Sequence, residues 1–198
     1  HWLSYSQGSE FSKKEWENLK IVTVPNFQNK LFVGIKYGVD GKHVAMSIAT
    51  KVDEKIFVES IDCQSVRNGN TWIISFLKEA DIEKVVIDGS GSQQILSDEI
   101  KDYGIKLKPV LPKVSDVVVA NNMFEQAVTS SKNICHNDQP SLKQIVTNCK
   151  RRAIGTNGGF GFKAMMEEHE IALLDSVILA HWACATYKGV KKKQKISC

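Results

Sequence analysis

Two aspartates stand where a carboxylate is costly to keep. Asp88 ends the run Val85-Val86-Ile87-Asp88 and is followed by Gly89-Ser90-Gly91-Ser92. The three β-branched residues show no polar alternation, so they read as a strand covered on both faces. The glycines let the backbone turn sharply out of the sheet. Asp88 is therefore expected at the carboxyl end of a central strand, where open α/β sheets build ligand sites. A turn-former or helix cap is the plainer role for an Asp in this place. Asp175 is the only acid in IALLDSVILAHWACA, residues 171–185. Helical spacing puts Ile178, Leu179 and Trp182 on its side of the helix. An unpaired carboxylate facing a core costs several kcal/mol, so Asp175 calls for a metal ion, a cationic partner or an exposed face. Glu170, about 140° away around the same helix, is the rival acid.

A third acid is sought on the first strand, in FVGIKYGVDG, residues 32–41. Lys36 lies mid-strand and Asp40 at its end. Residues 36, 38 and 40 share parity, so both side chains face one way if the strand continues that far. Three or four carboxylates can hold two divalent ions about 4 Å apart, which activate a water and steady the leaving oxygen of a phosphodiester. Mg²⁺ or Mn²⁺ suits such oxygen ligands, and no His/Cys cluster in the sequence offers zinc a better home. The expected catalytic and metal set is thus Asp40, Asp88 and Asp175. Lys36 cannot ligate a metal while protonated; it is expected to pair with Asp88 or Asp175, or to contact a phosphate. Lys150, Arg151, Arg152 and Lys163 surround the glycines at 155, 158, 159 and 161. They are candidate DNA contacts, with an ordinary solvated loop as the alternative.

The surrounding pattern supplies the elements that position these groups. Residues 1–30 form an approach segment, with a capped helical turn at Ser12-Lys13-Lys14-Glu15 before Trp16 and Leu19. Strands are expected at Leu31–Tyr37, His43–Ala49 and Lys55–Ile61, joined by turns at Gly38-Val39-Asp40-Gly41 and Lys51-Val52-Asp53-Glu54, which makes an antiparallel meander. A helix over Thr71–Ala80, the strand Lys84–Asp88, a helix over Gln93–Tyr103 and a fifth strand Lys106–Leu111 follow. Helices at Val114–Thr129, Ser141–Cys149 and Ile171–Tyr187 flank a glycine-rich loop or hairpin at Arg151–Lys163. A strand–helix–strand crossover after a meander gives a mixed sheet with helices on both faces, the ribonuclease H-like arrangement. The expected division is a linker segment at 1–30, one α/β domain at 31–187 and a basic tail at 188–198.

Composition narrows the class. Apolar content of 42% with 24% charged residues fits a soluble globular chain. No apolar run approaches the roughly 18 residues needed to cross a bilayer, so no membrane partner is expected. The start has neither a signal-peptide pattern nor an initiator Met, and a piece of a longer chain is expected. Five scattered cysteines with no CxxC pair argue against a disulfide framework or structural zinc, and for a reducing cytoplasm. The net charge of +4 owes everything to five lysines within 188–198; the remainder carries 21 basic against 22 acidic side chains. Such a tail either binds a polyanion or is simply solvated.

FVGIKYGVDGKHVAMSIA, KVVIDGSGSQQIL, RRAIGTNGGFGF and ALLDSVILAHWA, in this order and spacing, resemble the C-terminal nuclease domain of tailed-phage terminase large subunits. SEFSKKEWENLKIVTVP resembles the linker between that family's ATPase and nuclease domains. The resemblance covers roughly residues 31–187. It implies a ribonuclease H-like fold and metal-dependent cutting of concatemeric double-stranded DNA during genome packaging. It also implies a host-bacterial cytoplasm, with an ATPase domain, a small terminase subunit and a portal as partners. Family acids map onto Asp40, Asp88 and Asp175. Many relatives carry an Asp in mid-strand one where this chain has Lys36, and no GxxxxGK[ST] phosphate loop occurs here. Three rivals stand beside this reading, one of them a small-molecule-binding domain built around GSGS at residues 89–92. Another is a catalytically inactive ribonuclease H-like DNA-binding domain, supported by Lys36. The third is an actin-like or sugar-kinase-like nucleotide-binding fragment, suggested by the strand–turn–strand at GIKYGVDGKHVAMSIA.

Overall fold

Alternation along the strands dictates two separate cores. The computed structural model describes residues 8–24, 26 and 29–189. Strands β1 (Leu31–Tyr37), β2 (His43–Val52) and β3 (Lys55–Ser65) form the antiparallel meander. β4 (Ile82–Asp88) adds in parallel beside β1, and the two-residue β5 (Ile134–Cys135) adds in parallel beside β3, giving the order β4-β1-β2-β3-β5. Val33, Ile35, Val44, Met46, Val85 and Ile87 point to one face. There they meet Ile73, Ile74 and Leu77 of α2 (Thr71–Glu79) and Leu96 and Ile100 of α3 (Ser92–Asp102). The opposite face is covered by α4 (Val114–Thr129), α5 (Pro140–Val146) and α6 (Ile171–Thr186). Helices therefore lie on both faces of a mixed sheet, as the sequence pattern predicts.

α6 lies directly against the sheet because the residues beneath it are small. Gly34, Ala45, Ser47 and Ala49 carry the parity that faces α6, and the last three are fully buried. Ser47 and Ser176 share a buried hydroxyl–hydroxyl bond of 2.6 Å. A Cβ placed on Gly34 would sit 2.1 Å from the Ser176 carbonyl oxygen and 2.6 Å from the Ala180 nitrogen. Close packing of this kind leaves no room for an added methyl.

Other elements differ from the sequence pattern in instructive ways. The expected strand at 106–111 shrinks to one bridge, Val110 beside Val86, with Pro112 and the lysines at 106 and 108 leaving little to pair. The segment expected to end as a helix at Cys149 stops at Val146, and Cys149 opens β6 (Cys149–Ile154), which pairs with β7 (Gly159–Ala164) as a hairpin. Ile95, expected on the packed side of α3, is exposed. In the approach segment Ser12 and Glu15 form a capping box on α1 (Lys13–Glu17), and Phe11, Trp16 and Leu19 are buried in the α6-side core. Trp16 stacks on His136 at 4.0 Å between ring centroids. Of the basic tail, residues 190–198 lie outside the described residues.

Gly34→Ala should be strongly destabilising. Backbone on two sides blocks the methyl, so we expect a loss of about 3 kcal/mol, seen as a melting point lower by about 6–12 °C. An unchanged melting point would show that α6 can move off the sheet.

Candidate functional site

The close approach of α6 brings three charged side chains to the carboxyl ends of β1 and β4. β1 and β4 run parallel with Lys36 directly opposite Asp88. Both share the parity of Gly34 and Val86, so both face α6. The Lys36 Nζ donates to Asp88 Oδ2 at 2.6 Å, and the two side chains are 14% and 20% exposed. Asp88 does not cap the following helix, since the N-cap of α3 is Gly91 with no side-chain bond. Gly89 follows at φ +141°, where a Cβ would strike Tyr37 at 2.5 Å, so only glycine lets the chain turn there.

Asp175 lines the same small cleft as Lys36 and Asp88, together with Asn121, Val117, Arg152, Gly161, Ile178 and Leu179. Part of the residue opens to the cleft, while its carboxylate is enclosed by protein. Among the described residues it makes no hydrogen bond and no ion pair within 4.0 Å. Burial pushes its carboxyl up to about 6; Lys36 and then Arg152 pull it down, and Asp88 adds to the rise. A carboxylate with no partner in a desolvated place marks a site that favours a cation. A roomier cavity of about 420 Å³ between Lys30, Lys51, Glu83 and Tyr187 contains none of the predicted site residues; the smaller cleft is the candidate site because it holds the unpaired acid.

Asp40 is not brought to this pair. β1 ends at Tyr37, and the chain turns through residues 38–41 toward β2, on the side away from β4. Asp40 is exposed, and its Oδ1 accepts from the Lys42 backbone N–H at 2.9 Å. Its neighbours are instead His43 and Glu170, whose ligand atoms lie with its own within 4.8 Å of one another. Glu170 is the N-cap residue of α6, about 7.5 Å along the axis from Asp175 by helical rise.

The basic residues divide by role. Arg152 reaches the cleft, with its Nε donating to the Phe162 carbonyl at 3.3 Å. Arg151 is held bidentately by Glu125 at 2.6 and 2.7 Å, by Glu10 at 2.9 Å, and lies 3.9 Å over the Phe160 ring. Its charge is already balanced. Lys150 and Lys163 face each other across the hairpin register, and Lys163 is exposed. Sequence reasoning missed Asn121, a buried polar residue on α4 that donates to the Phe160 carbonyl at 3.0 Å and lines the cleft. Its signal was an Asn one turn after Val117 and one turn before Phe124 on the packed face of α4.

Comparison with known proteins bears on this arrangement through fold alone. No family model and no curated protein matches the sequence. Among solved structures, the HK97 bacteriophage large terminase superposes with a TM-score of 0.66 at 14% identity, over 87% of this chain and 43% of that one. The large terminase nuclease of thermophilic phage G20c with bound magnesium gives 0.62 at 14% identity, over 91% of this chain and 98% of that one. The chain has the large-terminase nuclease fold. The same G20c nuclease with bound cobalt gives 0.59 at 12% identity, over 91% of this chain and 98% of that one. The chain thus spans under half of the HK97 terminase and nearly the whole of the G20c nuclease.

The residues in the cleft fit one hard divalent ion, because Asp175 has a buried carboxylate with no partner and Asp88 has one oxygen beyond its contact with Lys36. Without metal, the raised Asp175 carboxyl has a defined consequence. Its proton is held more tightly folded than unfolded, so its favourable contribution is complete below about pH 4 and is lost as pH rises through about 6. Asp175→Asn should therefore be more stable than the parent by about 2–3 kcal/mol at pH 7.5 in EDTA, and the gap should close at pH 4. Equal melting points at both pH values would show that Asp175 is solvated.

Proposed function

We propose that the chain is the nuclease part of a phage terminase large subunit, a divalent-metal-dependent endonuclease that cuts concatemeric double-stranded DNA during packaging. The observation that carries this reading is the pairing of Asp88 with the unpartnered Asp175 at the strand ends of a large-terminase nuclease fold. Residues 31–187 form the nuclease, 1–30 a linker segment whose Phe11, Trp16 and Leu19 pack into the nuclease core, and 188–198 a basic tail. The remaining partners follow from the same reading: an ATPase domain in the full-length protein, a small terminase subunit, a portal, and the cytoplasm of a host bacterium. No helix among the described residues is long and apolar enough to cross a membrane.

Asp88 and Asp175 would hold Mg²⁺ or Mn²⁺. When bound, such an ion supplies activation of a water and charge stabilisation at the phosphate. The protein's own groups do the rest. Ile178 and Leu179 wall the cleft with apolar surface, which strengthens the electrostatics inside. Lys36 balances Asp88 in a place where two bare carboxylates would repel, and its ammonium can turn to a phosphate oxygen. Arg152 stands at the mouth, positioned by the hairpin, to contact the DNA backbone. One ion rather than two is favoured here, since an ammonium already occupies one side of Asp88 and Asp40 lies in another cluster. Catalytic roles go to Asp88 and Asp175. Lys36, Arg152, Lys150 and Lys163 are assigned to DNA, while Arg151 positions the hairpin.

The 2.6 Å contact of Lys36 with Asp88 also supports a second reading, a DNA-binding relative that no longer cuts. Supercoiled plasmid incubated with Mg²⁺ or Mn²⁺ separates the two. We expect nicking and linearisation that EDTA stops, and a loss of at least about a hundredfold in Asp88→Asn and Asp175→Asn. Lys36→Asp should tighten metal binding by replacing a cation with a ligand. Binding without cutting at every metal concentration would select the inactive relative.

The two arginines give an independent check. Arg152→Ala should weaken DNA binding and lower its salt dependence by about one counterion, with a smaller effect on stability than Arg151→Ala. Arg151→Ala should lower the melting point through lost contacts with Glu10, Glu125 and Phe160, with a smaller effect on DNA. The reverse pattern, read by salt-series binding and calorimetry, would exchange their roles.

A further inference from the structure

The cluster made by Asp40, His43 and Glu170 has a chemistry of its own. It joins three elements: the β1–β2 turn, the first residue of β2 and the N-cap of α6. One ligand atom from each lies within 4.8 Å of the other two. The His43 Nδ1 is 3.1 Å from Glu170 Oε1. Yet the direction is wrong for a hydrogen bond, and this nitrogen is shielded from solvent with no hydrogen-bond partner. A ring nitrogen held beside a carboxylate and making no hydrogen bond is free to act as a ligand. No lysine or arginine pairs with Asp40 or Glu170 within 4.0 Å among the described residues. Two carboxylates carry a charge of −2, which outweighs the roughly +0.5 of the helix N-terminus beside them.

We propose that Asp40, His43 and Glu170 form a second cation site, separate from Asp88 and Asp175, that takes a divalent transition ion of the zinc class. A neutral imidazole nitrogen with two carboxylate oxygens is a donor set for Zn²⁺ and its first-row neighbours, whereas Mg²⁺ prefers oxygen ligands alone and keeps its waters. Three protein ligands leave the remaining coordination positions to water. The bound ion ties the exposed hairpin turn to the start of α6, the helix that carries Asp175. Its first effect is stabilisation of that corner of the fold, following the mass action of any ligand that binds only the folded state.

Calorimetric titration with Zn²⁺ tests this in two settings. One is Asp88→Asn/Asp175→Asn, which lacks the carboxylates of the cleft. The other is the unsubstituted protein in excess Mg²⁺. Both should bind one equivalent of Zn²⁺ with a rise in melting temperature. Asp40→Asn keeps an oxygen for the Lys42 N–H, so the turn survives, but it loses the charge. That change and His43→Gln should each weaken Zn²⁺ binding at least about tenfold, because loss even of an outer-shell partner commonly costs 10–100-fold. Co²⁺ should show visible absorption that His43→Gln alters. Zn²⁺ binding that is absent, or that is the same in parent, Asp40→Asn and His43→Gln, would overturn the proposal and assign any bound zinc to the free cysteines.

Discussion

The candidate site depends on how close one helix comes to one strand. Gly34 has no side chain, so the backbone of α6 at Ser176 and Ala180 rests directly on β1. With Ala45, Ser47 and Ala49 alongside, the sheet offers α6 a bed of small residues. That approach carries Asp175 to the ends of β1 and β4, where Lys36 and Asp88 already face it. A larger residue at 34 would lift the helix and open the cleft between the carboxylates. The small residues of the sheet thus act on chemistry through distance, without touching any reacting group.

Charge balance in the cleft follows from that distance. Asp88 is matched by Lys36, and Asp175 has no partner at contact range among the described residues. Burial raises the Asp175 carboxyl, and the neighbouring Asp88 reinforces the rise. An added divalent cation would relieve both effects. A structure built for stability alone would replace Asp175 with an apolar residue, since its apolar neighbours Val177, Ile178 and Leu179 are already packed. The proposed function therefore rests chiefly on this buried acid.

Much of this was legible from residue order. The unbroken Val-Val-Ile run ahead of Asp88 marked a buried strand end, and a lone acid in an apolar helix singled out Asp175. Asp40 was different. Parity along β1 suggested it could join them, but parity holds only while the strand lasts, and the hairpin turns the chain away after Tyr37. Nothing local signals that His43 and Glu170 come together with it, because Glu170 is 127 positions beyond His43 in sequence and meets it only through the packing of α6. Arg151 and Arg152 look alike in sequence. Alternation across β6 sends one to Glu10 and Glu125 and the other to the cleft, and the acids that capture Arg151 lie 141 and 26 residues away. The weak strand at 106–111 fails for a simpler reason: its alternating lysines leave it one bridge on the edge of β4.

In the proposed site Asp88 and Asp175 share an ion although Lys36 holds one of them. Anomalous diffraction at the manganese edge from a crystal soaked in Mn²⁺ tests this most directly. A peak is expected between the carboxylates of Asp88 and Asp175, with Lys36 beside it as a neighbour and not a ligand. A cleft free of anomalous density at saturating Mn²⁺, with Lys36 still bonded to Asp88, would contradict it.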